Sequence, residues 1–251
     1  MDYLINVKNY SFPDAVETIL GRVAEKPPPF YAAEWKQVET TFSLPERNES
    51  SDKVVAYLLR RGIDSEIIDY CIKNDFLYET KQYHDAAFVG YDREGTPRCV
   101  SLRAIRKNFK SEVGGSDKRY SFSIPGKTDS TTVHLFESAI DALSYATLLK
   151  MTGREWRKDT LLSLGGVYLS LRGFRLPLAL RHYLSDHPGT KTLLLHLDND
   201  EVGRGAASGI ISMLGDKYRV IDSPAPTGKD VNDYLIQRIE RHRKKEEHER
   251  C

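Results

Sequence analysis

The chain has 251 residues, 40% of them hydrophobic, enough for one large domain or two modest ones with a buried core. Its formal net charge of +1 excludes a polycation that grips nucleic acid over its whole surface, so any such surface must be local. No run approaches the roughly 18 to 20 consecutive apolar residues that span a bilayer, and the opening MDYLINVKNY lacks the apolar stretch of a secretion signal, which predicts a cytoplasmic protein with no membrane partner.

In chain order, Ser11 can cap a short helix over SFPDAVETIL, with Phe12, Ala15, Val16 and Ile19 as its apolar stripe, and the KPPP run from Lys26 breaks it. The polar stretch from Thr40 to Asp52 reads as a linker whose end, Ser51 or Asp52, caps the next helix. Helices are predicted from Lys53 to Arg61 and from Ser65 to Asn74, separated by Gly62 as a C-cap. The pattern then changes: AAFVGYD and TPRCVSLRAI form a hairpin about a DREG turn, and RYSFSI is a further strand candidate.

From Thr131 onward strands and helices alternate. Strands are predicted from Val133 to Phe136, Thr160 to Leu164, Thr192 to Asp198 and Arg219 to Asp222, with helices at about Ala139 to Lys150, Leu176 to Asp186 and Gly205 to Leu214. Runs such as TLLLHLD suit strands buried on both faces, and helical crossovers imply a mostly parallel sheet, so this half is an α/β domain. The charged tail from Arg238 reads as a solvated helix extension.

Cys71, Cys99 and Cys251 stand too far apart for a CxxC knuckle and read as reduced thiols. Trp35 and Trp156 read as packing anchors, and His196, inside an apolar strand, as a core histidine. Between Arg98 and Arg119 seven basic residues (Arg98, Arg103, Arg106, Lys107, Lys110, Lys118 and Arg119) face only Glu112 and Asp117. That stretch is either a local nucleic-acid surface or a solvated loop face.

Two acidic motifs fall at strand ends, where open parallel sheets gather their functional groups. Glu137 directly follows VHLF, and Asp141 comes one helical turn later, over the same face. Asp198 ends TLLLHL and Asp200 follows it, with Gly203 and Gly205 permitting a tight turn into the next helix. Carboxylates converging without Lys or Arg between them need protons or metal, and hard oxygen ligands select Mg²⁺ or Mn²⁺. In PTGKDVNDYL, Asp230 either caps the last helix or joins that cluster, and Lys229 either meets phosphate or is a solvated loop lysine.

These residues resemble the Toprim domain of primases, type IA topoisomerases and related nucleases. The resemblance rests on FES-AIDAL at Phe136 to Leu143, LGG at Leu164 to Gly166 and DNDEVGRGAA at Asp198 to Ala207, and covers roughly Thr131 to Gln237. It implies a Rossmann-like α/β fold in which Glu137 is the general acid or base and Asp198 and Asp200 coordinate Mg²⁺. The glycine usual after the glutamate is Ser138 here, and GKDVND is similar to the GKDPND-type run of primase-like proteins.

Upstream, YLLRRGIDSEIIDYCI and AAFVGYDREGTPRCVSLRAI resemble the start of a bacterial primase catalytic core, and also a domain that precedes Toprim in proteins of plasmids and integrative elements. SFPDAVETIL is similar to the helix after a primase zinc finger, yet the Cys and His ligands are absent, so no zinc is expected.

The resemblance divides the chain into a finger-derived region and linker at 1–48, a primase-like α+β subdomain at 49–128, Toprim at 129–240 and a charged tail at 241–251. It implies catalytic Glu137, Asp198 and Asp200 with metal on them; position and charge add Asp141 and Asp230 as metal candidates, and Arg103, Arg106, Lys107, Lys118, Arg119 and Lys229 as candidates for nucleic acid or nucleotide. Single-stranded DNA and nucleoside triphosphates are the implied partners, with a helicase or relaxase. Nucleotidyl transfer, hydrolysis of a phosphodiester, and a binding module derived from a primase stay open. A topoisomerase is set aside, because its gate-forming domains find no room.

Overall fold

The computed structural model of the protein describes residues 41–107, 109–167 and 174–249. The helix read in SFPDAVETIL, the KPPP break, Trp35 and Cys251 lie outside them. Save for Phe174, the described residues belong to one compact unit.

Helices α1 (Asp52–Arg60) and α2 (Ser65–Lys73) come first, followed by strands β1 (Leu77–Glu79), β2 (Ala86–Tyr91), β3 (Pro97–Arg103) and β4 (Lys110–Glu112). These four strands form an antiparallel sheet in the order β1-β2-β3-β4. The β2–β3 turn is shaped by Asp92, whose Oδ1 accepts the N–H groups of Glu94 and Thr96 at 3.1 and 2.8 Å, and by Gly95 at a φ of 77°.

The second half contains β5 (Ser123–Ile124), β6 (Thr132–Phe136), α3 (Ala139–Met151), β7 (Thr160–Ser163), α4 (Leu178–Asp186), β8 (Thr192–His196), α5 (Glu201–Leu214), β9 (Arg219–Asp222) and α6 (Val231–Glu249). Its sheet has the order β5-β7-β6-β8-β9, parallel except for β5, which runs antiparallel to β7. The central strands are buried because helices follow them as crossovers, as the unbroken apolar runs require.

One core joins the two halves. Val54 and Leu58 of α1 and Ile67, Ile68 and Cys71 of α2 share a hydrophobic cluster with Phe136, Leu143 and Ala146, and with Val231 and Leu235 of α6. Asn232, fully buried, donates from Nδ2 to the Arg61 carbonyl at 2.9 Å and to Ser144 Oγ at 2.8 Å, tying α6 to both α1 and α3. Trp156 is buried edge-on against Tyr70, and Cys71 and Cys99 are buried free thiols. Among the described residues no helix is long and apolar enough to cross a membrane.

Four local expectations are corrected. RYSFSI is not one strand: Asp117 accepts the Arg119 N–H and caps a 3₁₀ turn over Lys118–Tyr120, leaving only Ser123–Ile124 extended. Helix α4 starts at Leu178, after Pro177, and not at Leu176. Helix α5 starts at Glu201 and not at Gly205, because Asp200 caps it by accepting the Gly203 N–H at 2.9 Å.

Neither Ser51 nor Asp52 caps α1: Ser51 makes no cap hydrogen bond, and its Oγ accepts the Glu79 N–H instead. The cap comes from the far end of β1. The buried Glu79 carboxylate accepts from the N–H groups of Lys53 and Val54 at 3.0 and 3.3 Å and also meets Asn48 Nδ2 and His84 Nδ1. Glu79→Ala therefore orphans two helix-end donors, the one on Val54 buried, together with the Asn48 and His84 contacts, and should lower the unfolding free energy by about 3 kcal/mol in urea titrations.

Candidate active site

Strands β6 and β8 are hydrogen-bonded parallel neighbours with Phe136 opposite His196, so the residues that follow each emerge side by side. The Asp198 N–H donates to Glu137 Oε1 at 3.1 Å. The LGG turn after β7 closes the same end, with Gly165 and Gly166 at φ of 69° and 98° and the Gly166 N–H donating to the Glu137 carbonyl at 2.8 Å.

Asp141 is buried one helical turn beyond Glu137. Its Oδ2 accepts the Ser138 hydroxyl at 2.5 Å, while its N–H donates to Ser138 Oγ, so Ser138 both caps α3 and holds the carboxyl. Asp230 caps α6 by accepting the Asp233 N–H at 2.7 Å, and it also raises the carboxyl pKa values of Asp141 and Asp198. Of the two alternatives for Asp230, the helix cap is met.

Burial, reinforced by Asp198, raises Glu137 to about 7. Burial, reinforced by Asp230, raises Asp141 to about 7. Burial also holds Asp198 above its ordinary range even with Lys229 beside it, whereas Asp200, taking the Gly203 N–H, lies below. Three of these four carboxyls are therefore held above their ordinary range, and a cation joining them would favour their charged forms.

The expectation of a cluster free of Lys and Arg is overturned. Lys229 Nζ lies 3.3 Å from Asp198 Oδ2 and 3.4 Å from Asp200 Oδ2. Among the described residues no group of three or more His, Cys, Asp or Glu side chains stands ready to hold a metal as arranged. The oxygens already have other partners: the Asp198 N–H, the Ser138 hydroxyl, the Gly203 N–H and the Lys229 ammonium.

Three features escaped sequence reasoning. Gly203 sits within α5, and a Cβ there would stand 2.3 Å from the Asp198 carbonyl oxygen and 2.8 Å from Glu137 Oε1, so its role is close approach and not a turn. Asn199, the middle residue of the DND run, donates from Nδ2 to the carbonyls of Ala225 and Gly228 at 2.9 and 3.0 Å and fastens the loop before α6. Phe109 is 59% exposed in the basic β3–β4 connection, between Lys107 and Lys110 in sequence. Only the last could have been noticed, as an aromatic among basic residues.

Of the basic stretch, Arg98, Lys118 and Arg119 are engaged locally with Asp92, Glu112 and Asp117. Arg103 lies half-buried on β3, while Arg106, Lys107 and Lys110 are exposed. The stretch approaches the acidic end of the second sheet: Glu112 Oε1, whose carboxylate pairs with Lys118, is 3.7 Å from where a Cβ on Gly165 would stand.

Beneath the site, His196 donates from Nδ1 to the Ser223 carbonyl at 2.7 Å, so its Nε2 accepts from His134 Nδ1 at 2.9 Å. Both rings are buried, as expected for His196, and burial pushes His134 to about 4 and His196 to about 3. A histidine held neutral contributes stability above its unfolded pKa near 6.5, and that stability is lost as pH falls. Glu137 and Asp141 act in the opposite sense, so the readout is a difference. In denaturant titrations at pH 7.5 and pH 5, wild type should lose about 2 kcal/mol relative to His196→Phe.

The fold and site define an α/β domain with a mostly parallel sheet and acidic residues at the carboxyl ends of adjacent strands. Residues 134–235 match the Toprim-like family, and residues 56–128 match a family described as Protein of unknown function (DUF3991). Residues 134–235 are thus a Toprim-like domain. No curated protein matches the chain.

Among solved structures, the primase fragment of the bacteriophage T7 primase-helicase protein aligns at 17% identity over 73% of this chain and 69% of its own, with a TM-score of 0.51. The Escherichia coli primase catalytic core aligns at 16% identity over 76% of this chain and 70% of its own, with a TM-score of 0.47. At such identities the phage likeness speaks for the fold alone: over the aligned part this chain shares the fold of that primase fragment.

Proposed function

We propose that the protein is a primase-like enzyme that carries out metal-dependent nucleotidyl transfer on a single-stranded DNA template, in replication or transfer of a mobile element. The observation that carries this reading is the meeting of Glu137 with Asp198 and Asp200 at the ends of adjacent parallel strands, beside a basic strand pair. The donor set fits a hard divalent cation: carboxylate oxygens crowded together, with the Lys229 ammonium standing where a cation would neutralise them.

In this reading Asp198 and Asp200 hold Mg²⁺ or Mn²⁺, with Glu137, Asp141 and Asp230 around them. The ion would neutralise charge on the phosphates of a nucleoside triphosphate. Glu137 takes or returns the proton of the attacking hydroxyl. Arg103, Arg106, Lys107, Lys118 and Arg119 hold template phosphates, and Phe109 offers a ring on which a base can stack. Such sequence-independent contacts make binding steeply salt-dependent. A helicase or relaxase would deliver the template, and the reaction would take place in the cytoplasm without zinc.

The test incubates the protein with single-stranded DNA, labelled nucleotides and Mg²⁺ or Mn²⁺, beside Asp198→Asn, and resolves the products on a denaturing gel. New short oligonucleotides that vanish in the variant are expected. Shortened template would make the protein a nuclease, and no change with either metal would leave a DNA-binding module.

A further inference from the structure

Lys229 reaches the acidic site from a loop that the site itself fastens. The Asn199 N–H donates to the Lys229 carbonyl at 2.7 Å, and the Asn199 side chain holds the carbonyls of Ala225 and Gly228. From the other side, the Lys229 N–H donates to Asp233 Oδ2 at 3.2 Å. Gly228 allows the close turn with a φ of 86°, and a Cβ there would stand 2.8 Å from Asp233 Cβ. The lysine backbone is thus fixed to the DND turn ahead of it and to α6 behind it.

The side chain is free in the way the backbone is not. It is 58% exposed, so its ammonium can leave for water with no movement of the loop. Where it rests, it contacts Oδ2 of both Asp198 and Asp200. A divalent ion bridging this pair on the same side would take those oxygens, and an ammonium held at contact with the same two carboxylates repels it. A tethered cation competes at a high effective concentration, because its chain never diffuses away.

We infer that Lys229 is a built-in counter-ion that competes with the divalent metal for Asp198 and Asp200, so that metal enters only by displacing its ammonium. This rests on the metal reading of the site and adds to it. Lys229 is a positioning residue: it neutralises the carboxylates without metal and, once displaced, remains within a side chain's length of whatever anion the metal carries.

The test is Mn²⁺ binding to the full chain, followed by the electron paramagnetic resonance signal of the free ion, for wild type, Lys229→Met, Lys229→Gln and Lys229→Arg. Lys191→Met controls for the loss of one positive charge elsewhere. Neutral substitution should tighten Mn²⁺ binding about fivefold, the scale of a partly exposed ion pair. Lys229→Arg should stay near wild type and Lys191→Met unchanged.

In chelator, Lys229→Met should melt below wild type, and saturating Mn²⁺ should close that gap. Equal or weaker Mn²⁺ binding by the folded neutral variants overturns the inference and leaves the metal site standing. Equal tightening by Lys191→Met also overturns it, since the effect would then be general charge. Absence of Mn²⁺ binding in every protein overturns both the inference and the metal reading beneath it.

Discussion

Glu137→Gln is expected to reduce nucleotide incorporation by about 100-fold or more while making the protein more stable above neutral pH. The two effects share one cause. Burial and the neighbouring Asp198 raise the Glu137 carboxyl to about 7, so ionising it costs the folded state more than the unfolded chain. An acid with a raised folded pKa destabilises the fold increasingly as pH climbs from near 4.5 through 7, and costs nothing well below 4.5.

Glutamine keeps an oxygen for the Asp198 N–H and never ionises. Discounted for the partial exposure of the group, the gain should be about 1 to 2 kcal/mol at pH 8 and should fade by pH 4, as read from chemical denaturation at both pH values. Mg²⁺ should raise the melting temperature of wild type more than that of the variant. A variant that loses both activity and stability at pH 8 would make Glu137 a structural residue and remove it from the proposed chemistry.

Gly90→Ala should be the most damaging small substitution in the described fold. A Cβ on Gly90 would stand 1.7 Å from the Tyr120 carbonyl oxygen and 2.8 Å from the Ser121 carbonyl carbon. The segment leaving the 3₁₀ turn crosses β2 there on its way to β5, and β2 itself shifts register between Gly90 and Tyr91. Both partners are backbone, so no side-chain rotation relieves the clash and one sheet must move against the other.

The expected loss is about 4 kcal/mol or more, at the extreme of single-substitution effects. Gly189→Ala, whose Cβ would meet nothing within 4 Å, should change the urea midpoint little. Equal midpoints for both variants would mean that the crossing is loose and that the two sheets are not locked together at this point.

Much of the site was written in local sequence. The strand from Arg219 to Asp222 has the bounds that its apolar pattern predicts, and the acidic residues stand at strand ends because a buried strand must stop where charged groups meet solvent. Convergence of Glu137 on Asp198 followed from the parallel arrangement, since neighbouring strands that point the same way present their carboxyl ends together. The cap of α6 by Asp230 was equally legible, being three residues from its partner.

What the sequence determined by itself was therefore whatever depends on near neighbours: strand and helix periods, caps within a turn, and the acidic motifs with the Toprim resemblance they carry. Only the tertiary structure decided that Glu79 caps a helix 26 residues away, that Gly203 is needed for clearance, and that Lys229 lies between Asp198 and Asp200. Each of these depends on distances between segments far apart in the chain, and packing sets those distances. Residue identity and spacing carry no record of which distant carbonyl or carboxylate a side chain will meet.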